Sequence, residues 1–231
     1  MSQPTARSDL RIVILEDHVL FAESLELALT IEGYDVRRAE VPTLEHRPGA
    51  LLSWTVRQRP RVALLDLDLG GFGAGERLVA PLAREGINVV VVTGSVDRAR
   101  WGEAVRLGAR KVLAKSRPLN DILGTVRRIN QGLQVMAPDE REQLLDAWAT
   151  ERSHLVDLRR KLDLLTGRER EVLAHLMKGR TVREIATLGV VSEATVRTQV
   201  KAILAKLDVT SQIAAVGLAH QVGWRPPVIA A

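Results

Sequence analysis

The sequence predicts an α/β doubly wound (βα)5 domain, then a helical linker, then a small all-α domain built on a helix-turn-helix. Three observations support that fold class. Over residues 1–130, short apolar runs without polar alternation take turns with amphipathic stretches. That is the pattern of parallel strands covered on both faces, and of the helices that cover them. From Pro138 to about Leu165 the pattern becomes one long polar helix. Over Leu165 to Val209, two capping boxes and three helix-period apolar patterns crowd into a span that only small packed helices can fill.

In chain order, strands fall at Ile12–Leu15, Val62–Leu65, Val89–Val92 and Val112–Ala114, with Tyr34–Arg37 a weaker second strand. Leu20–Ile31, Gly75–Arg84, Arg98–Leu107 and Leu119–Ile129 have helical periodicity between them. Units of this size wind a sheet whose ligands bind at the carboxyl ends of the strands. In the linker, residues 131–162, the residues Leu144, Trp148, Leu155, Leu158 and Leu162 occupy a and d positions of a heptad that continues to Leu165. Glu151 takes one d position. Two readings stay open: a signalling helix packed on its own domain, or a short two-stranded coiled coil.

The last domain, residues 163–231, begins with Thr166 three places before Glu169, and continues with Thr181 three before Glu184. In each pair the hydroxyl accepts from an orphan N–H while the carboxylate reaches back to the cap. A third helix opens at Ser192 and places Val196, Val200, Ile203 and Leu207 on one face. Its other face presents Arg197, Thr198 and Lys201. A short helix, a tight turn and a helix with a cationic outer face form a device that lays one helix in a DNA major groove. A last helix runs from Ser211 to Val222, and Trp224-Arg225-Pro226-Pro227 ends it, with disorder expected beyond.

Composition narrows the function classes. A chain of 231 residues, 46% hydrophobic and 26% charged, suits one or two soluble globular domains. It has no cysteine, which excludes disulfide frameworks and thiolate metal sites. The first nine residues lack a signal-peptide core and no apolar run reaches the roughly 18 residues a membrane span needs, so a cytoplasmic protein with no membrane partner is expected. The net charge is +5. Residues 1–130 hold 19 basic and 16 acidic side chains and residues 163–231 hold 9 and 6. The excess is spread over both ends, so the argument for DNA rests on one helix face and not on total charge.

The chemistry is expected where strands end. Glu16 and Asp17 follow the first strand, Asp66 the third, Thr93 the fourth and Lys115 the fifth, so all converge on one edge of the sheet. Clustered carboxylates suit a hard cation such as Mg2+, which offsets their repulsion and the charge of an incoming phosphoryl group. Asp66 is then a nucleophile that forms an acyl phosphate, with Thr93 and Lys115 on the phosphoryl oxygens. His18, beside the acids, is expected only to start the first helix, and Trp54 and Trp101 to pack.

The residues Leu165, Thr166, Arg168, Glu169, Glu171, Val172 and Leu173, then Glu184-Ile185-Ala186, then Ser192, Thr195, Val196 and Arg197, then Ile203, Lys206, Leu207 and Val209 follow a known pattern. They resemble the LuxR-type helix-turn-helix at fixed spacing. Residues 10–130 resemble the receiver domain of response regulators through ILEDH, ALLDLDLGG, VVVVTGS and VLAKSRPL. Together they make the chain similar to a NarL/FixJ-type two-component response regulator. The resemblance implies that Asp66 is the phosphoacceptor and that Asp17 and Asp66 bind Mg2+. Glu16 would assist through water, and the backbone carbonyl of Asp68 would be a further ligand. It implies a DNA contact set of Thr181, Ser192, Thr195, Arg197, Thr198 and Lys201. It also implies double-stranded promoter DNA, a sensor histidine kinase and a homodimer of the active form as partners, and a chain that is not an enzyme.

This sequence departs from the family pattern in places. Val112 stands where an aromatic residue usually precedes the lysine by three, Gly70 stands where proline is common, and Arg38–Ala50 is longer than usual. In the last domain Val182, the displaced Leu188-Gly189 and Gln199 differ from the common residues. Val112 motivates an alternative: a phosphorylation-independent DNA-binding regulator whose receiver serves protein interaction. An enzymatic alternative is a phosphatase similar to the haloacid dehalogenases, through Asp66-Leu67-Asp68. Against it, Gly70 replaces the needed Thr or Val, Ser116-Arg117-Pro118 offers no acidic motif, and the nucleophile would sit on the third strand instead of the first.

Overall fold

A computed structural model of the chain describes residues 10–39, 48–70 and 73–225. It divides into two compact units, Met1–Ala149 and Thr150–Ala231. In the first, β1 (Arg11–Leu15), β2 (Asp35–Arg38), β3 (Val62–Leu65), β4 (Asn88–Thr93) and β5 (Lys111–Ala114) form one parallel sheet in the order β2-β1-β3-β4-β5. The order reverses between β1 and β3, the point at which doubly wound sheets open a crevice at their carboxyl ends. This is the expected (βα)5 fold.

Both faces of the sheet are buried, which is why its strands read as continuous apolar runs. Val13, Leu15, Ala63, Leu65, Val89, Val91 and Val112 point to the side covered by α2 (Pro48–Gln58), α3 (Glu76–Arg84) and α4 (Arg98–Arg106). Ile12, Ile14, Val62, Leu64, Val90, Val92 and Leu113 point to the other side, under α1 (Val19–Ile31) and α5 (Leu119–Asn130). The period of two along each strand divides the core into these halves. β2 begins one residue later than its sequence signal, because Asp35, Arg37 and Arg38 leave little apolar pattern to fix its ends. Helical periodicity does not announce α2, since Thr55 takes a fully buried place and returns its hydroxyl to the Leu51 carbonyl at 2.8 Å. Part of the long segment Arg38–Ala50, residues 40–47, lies outside the described residues, as does the chain beyond Arg225.

The long helix α6 (Pro138–Asp163) uses its leucines within the two units. Leu144 is buried in the first unit's core, and Leu158 and Leu162 in the second's. Within the single chain, these three leucines of the a and d stripe thus pack on the cores of their own units.

In the second unit α7 (Gly167–Met177), α8 (Val182–Leu188), α9 (Glu193–Leu207) and α10 (Gln212–Gln221) enclose one core. Both expected capping boxes form, with Thr166 N–H donating to Glu169 Oε2 and Thr181 N–H to Glu184 Oε2, each at 2.7 Å. The predicted face of α9 is buried throughout, at Val196, Val200, Ile203 and Leu207. Asp208 then ends α9 in the left-handed region at φ 58°, which a short polar side chain tolerates. Gly189 caps α8 and leaves Leu188 exposed, and Arg168 Nη2 donates to the Gly189 carbonyl at 3.3 Å. Among the described residues no single helix is long and apolar enough to cross a membrane.

Candidate phosphoacceptor pocket and nucleic-acid interface

β1 and β3 place their following residues side by side, since Leu15 pairs with Leu65 and Asp66 N–H donates to the Leu15 carbonyl at 2.9 Å. Glu16 and Asp66 are both buried. Lys115, after β5, reaches both: Nζ lies 2.7 Å from Asp66 Oδ2 and 2.7 Å from Glu16. Burial alone would lower the lysine, but its hydrogen bonds to Asp66 and Glu16 more than reverse this and hold it above its ordinary value. Burial pushes Glu16 up, and the Lys115 bond offsets only part of that. Two buried acids thus share one ammonium.

One ligand atom each from Glu16, Asp17, His18 and Asp66 falls within 4.8 Å of the others. Asp66 Oδ1 is buried with no hydrogen-bond partner, and so is Asp17 Oδ1, although His18 Nδ1 lies 3.0 Å from the latter. Orphaned carboxylate oxygens at this depth are costly unless a cation meets them. The donor set fits a hard divalent ion. His18 stands at the start of α1 with its side chain largely exposed, as expected, and its Nδ1 also lies 3.1 Å from Glu16 Oε1.

Gly70 explains one departure from the family pattern. Its φ is +54°, which the proline ring cannot adopt, and a Cβ there would lie 3.0 Å from Asp17 Oδ2. The Asp68 side chain turns away from the acids toward Arg100, whose Nη2 donates to Asp68 Oδ1 at 3.1 Å. The metal role that the sequence suggested for Asp68 falls to its backbone carbonyl, which this side-chain contact leaves unchanged. Arg100 Nε also donates to Glu76 Oε1 at 2.6 Å. That bond first, with Asp68 adding to it against burial, raises the guanidinium's affinity for its proton. Sequence reasoning missed this tie between α4 and the loop after β3, because only a folded sheet brings residues 68, 76 and 100 together.

Thr93 ends β4, fully buried, and its Oγ1 accepts Ser95 N–H at 3.1 Å. Val112 lies in the α4-side core. Trp54 and Trp101 pack against the same cluster, and Trp101 Nε1 donates to the Ser95 carbonyl at 3.0 Å.

In the second unit Arg197, Thr198 and Lys201 are exposed on α9, opposite its buried stripe. Arg197 Nη2 lies 3.3 Å from Glu193 Oε2, one turn earlier, while Thr198 Oγ1 donates to the Ala194 carbonyl at 3.0 Å. Thr181 and Ser192 serve as N-caps of α8 and α9, and Ser192 and Thr195 hydroxyls meet at 2.9 Å. These caps fix the N-terminal ends of both helices. Gln199 leaves its Oε1 buried with no hydrogen-bond partner.

Residues 12–127 match the family described as response regulator receiver domain, and residues 163–219 match bacterial regulatory proteins, luxR family. The chain is similar to the probable transcriptional regulatory protein NarL of Mycobacterium tuberculosis (strain H37Rv), 29% identical over 218 residues, 94% of this chain and 95% of that protein. It is similar to the transcriptional regulatory protein DesR of Bacillus subtilis (strain 168), 26% identical over 168 residues, 73% of this chain and 77% of that protein. Among solved structures, it is similar to the response regulator RcsB in its DNA complex, at 23% identity over 92% of this chain and 98% of that one, with a TM-score of 0.49.

Proposed function

This chain belongs to the response regulators that join a receiver domain to a LuxR-type DNA-binding domain, and from that membership we propose that phosphorylation of Asp66 controls how α9 grips promoter DNA. The observation behind this reading is the pocket itself: a buried carboxylate with one oxygen on Lys115 and the other without a partner. A partner histidine kinase supplies the phosphoryl group. An Asp66 oxygen attacks phosphorus, the P–N bond to the kinase imidazole breaks, and that imidazole takes a proton from solvent. Asp17 and Asp66, with the Asp68 carbonyl and with Glu16 acting through water, would hold a Mg2+ ion, which when bound would supply the positive charge that lets phosphoryl oxygens approach these acids. Lys115 stays charged and moves from the acids to the phosphoryl oxygens, and Thr93 donates its hydroxyl to another of them. The phosphoryl group carries about −1.5 to −2 charges and replaces the single charge of the Asp66 carboxylate, so the site gains about −0.5 to −1 beside Glu16 and Asp17.

The division into a receiver over 1–130, a linker over 131–162 and a DNA-binding domain over 163–231 belongs to this reading. Thr181, Ser192, Thr195, Arg197, Thr198 and Lys201 form the proposed DNA contact set. On phosphorylation the chain pairs, so that two copies of α9 meet half-sites about one helical turn apart. The protein works in the cytoplasm as a regulator and catalyses no turnover of its own.

The test compares affinity for a promoter duplex with and without acetyl phosphate, in the parent and in Asp66→Asn. Binding that tightens in the parent alone is expected. Equal affinity in all four conditions would refute control by Asp66 and leave the receiver as a protein-interaction module.

A further inference from the structure

A short run of hydrogen bonds joins Thr93, at the end of β4, to α4. The buried Thr93 Oγ1 accepts from the N–H of Ser95 at 3.1 Å, and the carbonyl of the same Ser95 accepts from Trp101 Nε1 at 3.0 Å. Ser95 Oγ accepts the N–H of Asp97 at 3.3 Å. Asp97 in turn caps α4, accepting from Ala99 N–H at 2.8 Å and Arg100 N–H at 3.2 Å. Ser95 is therefore pinned at one end to the Thr93 side chain, the proposed phosphoryl contact, and at the other to α4.

The next residue on α4 is the seat of α6. A methyl group on Gly102 would collide with the Leu144 carbonyl and lie 2.8 Å from Trp148 Cβ. One turn further, the Arg106 guanidinium lies over the Trp148 ring, 4.6 Å from its centroid. Lys111 Nζ holds Glu140 at 2.6 Å and fixes the start of α6. Trp101 shares the α4-side core with Leu144 and with Val112 of β5, and Val112 has no hydrogen-bonding group with which to sense Thr93.

We propose that Trp101 is the positioning residue through which the state of Asp66 is passed to the first half of α6. This rests on Asp66 as phosphoacceptor and Thr93 as its hydroxyl contact, and adds the route by which the change leaves the pocket. When Thr93 Oγ1 turns to a phosphoryl oxygen, Ser95 N–H loses its acceptor and the Ser95 peptide moves. Trp101 Nε1 then loses the carbonyl it donates to, and the α4 surface around Gly102 no longer fits Leu144 and Trp148. Packed helices respond to such a shift by changing between discrete seats.

The chain has four tryptophans, hence four indole N–H resonances, and that of Trp101 is identified by its loss in Trp101→Phe. The probe is the full chain with Mg2+ and beryllofluoride, a phosphoryl mimic whose own fluorine resonances show occupancy. On loading, the Trp101 indole N–H should shift upfield and exchange about tenfold faster, and amide exchange over residues 138–149 should rise with it. Trp101→Phe keeps an aromatic ring and removes the donor. It should still accept a phosphoryl group from acetyl phosphate, while exchange over 138–149 becomes the same with and without the mimic. Gly102→Ala should raise that exchange with no mimic present.

A full α6 response in Trp101→Phe would overturn the proposal. So would an unmoved Trp101 indole in a loaded parent, a measurement that holds even if the variant fails to fold, since Phe replacements at Trp54, Trp148 and Trp224 then assign the signal by elimination. A parent that takes up neither phosphoryl group nor mimic would instead refute Asp66 as phosphoacceptor, and with it this route.

Discussion

The two units of this chain treat buried acids in opposite ways. In the first, Glu16 and Asp66 divide one ammonium between them, and oxygens of Asp17 and Asp66 are buried without a hydrogen bond. In the second, Glu169 closes its capping box and also takes Lys206 Nζ at 2.6 Å, so that one carboxylate oxygen meets both a backbone N–H and an ammonium. Even the exposed Glu184 is tied to Thr181, by both its backbone N–H and its hydroxyl. Satisfied groups make a scaffold, and unsatisfied ones leave a site that an arriving ion or phosphoryl group can change. The difference separates a pocket left open to an ion from a scaffold whose acids are paired within the chain.

Four experiments break or sharpen that contrast. The largest effect is expected from removing what the unsatisfied oxygens await: chelating divalent metal, or Asp17→Asn, should slow phosphoryl uptake from acetyl phosphate by roughly 100-fold or more. Undiminished labelling would mean the pocket needs no cation. Next comes the surface the scaffold presents. Arg197→Ala with Lys201→Ala should weaken binding to all duplexes and reduce the slope of log K against log salt by about 1.8, if both meet phosphates. An unchanged slope would move the contact elsewhere.

A smaller effect is expected within the scaffold. Glu169→Ala should cost about 1–2 kcal/mol, read as a lower unfolding midpoint of the second unit, with phosphoryl uptake at Asp66 unaffected. The smallest concerns acid. Although burial pushes Glu169 up, Lys206 and Thr166 hold it below its ordinary 4.5, and Thr181 lowers Glu184. Their contribution is full above that value and is lost as pH falls through the lowered one. Burial, then the charge of Arg180, lowers His175 from 6.5, so its contribution too declines as pH drops below that value. Glu16 is raised, and acid relieves it instead. Thermal melts followed by resolved amide resonances at pH 7 and pH 4 should therefore show the second unit losing more than the first. A larger loss in the first would contradict the signs.

Most of the pocket was legible because adjacent parallel strands end together, which puts Glu16, Asp17, Asp66, Thr93 and Lys115 on one edge whatever their side chains do. The buried stripe of α9 and the two capping boxes were legible because both are local patterns of three to four residues. What was not legible depends on contacts far apart in the chain. Asp68 reads as a ligand through its backbone carbonyl alone, and only the fold shows its side chain accepting from Arg100. The heptad leucines of α6 show which face is buried but not against what, and Leu144 and Leu162 prove to serve different cores. The bond from Trp101 to Ser95 has no signature, since neither residue is unusual where it stands.

At Gly70 the demand of the pocket falls on a residue with no side chain at all. A substitution there would replace none of the side chains of the pocket, yet the replacement would need a left-handed backbone and would crowd Asp17 Oδ2. On the proposed metal role of Asp17, a Gly70 variant that folds normally while losing metal affinity is the lesion to expect.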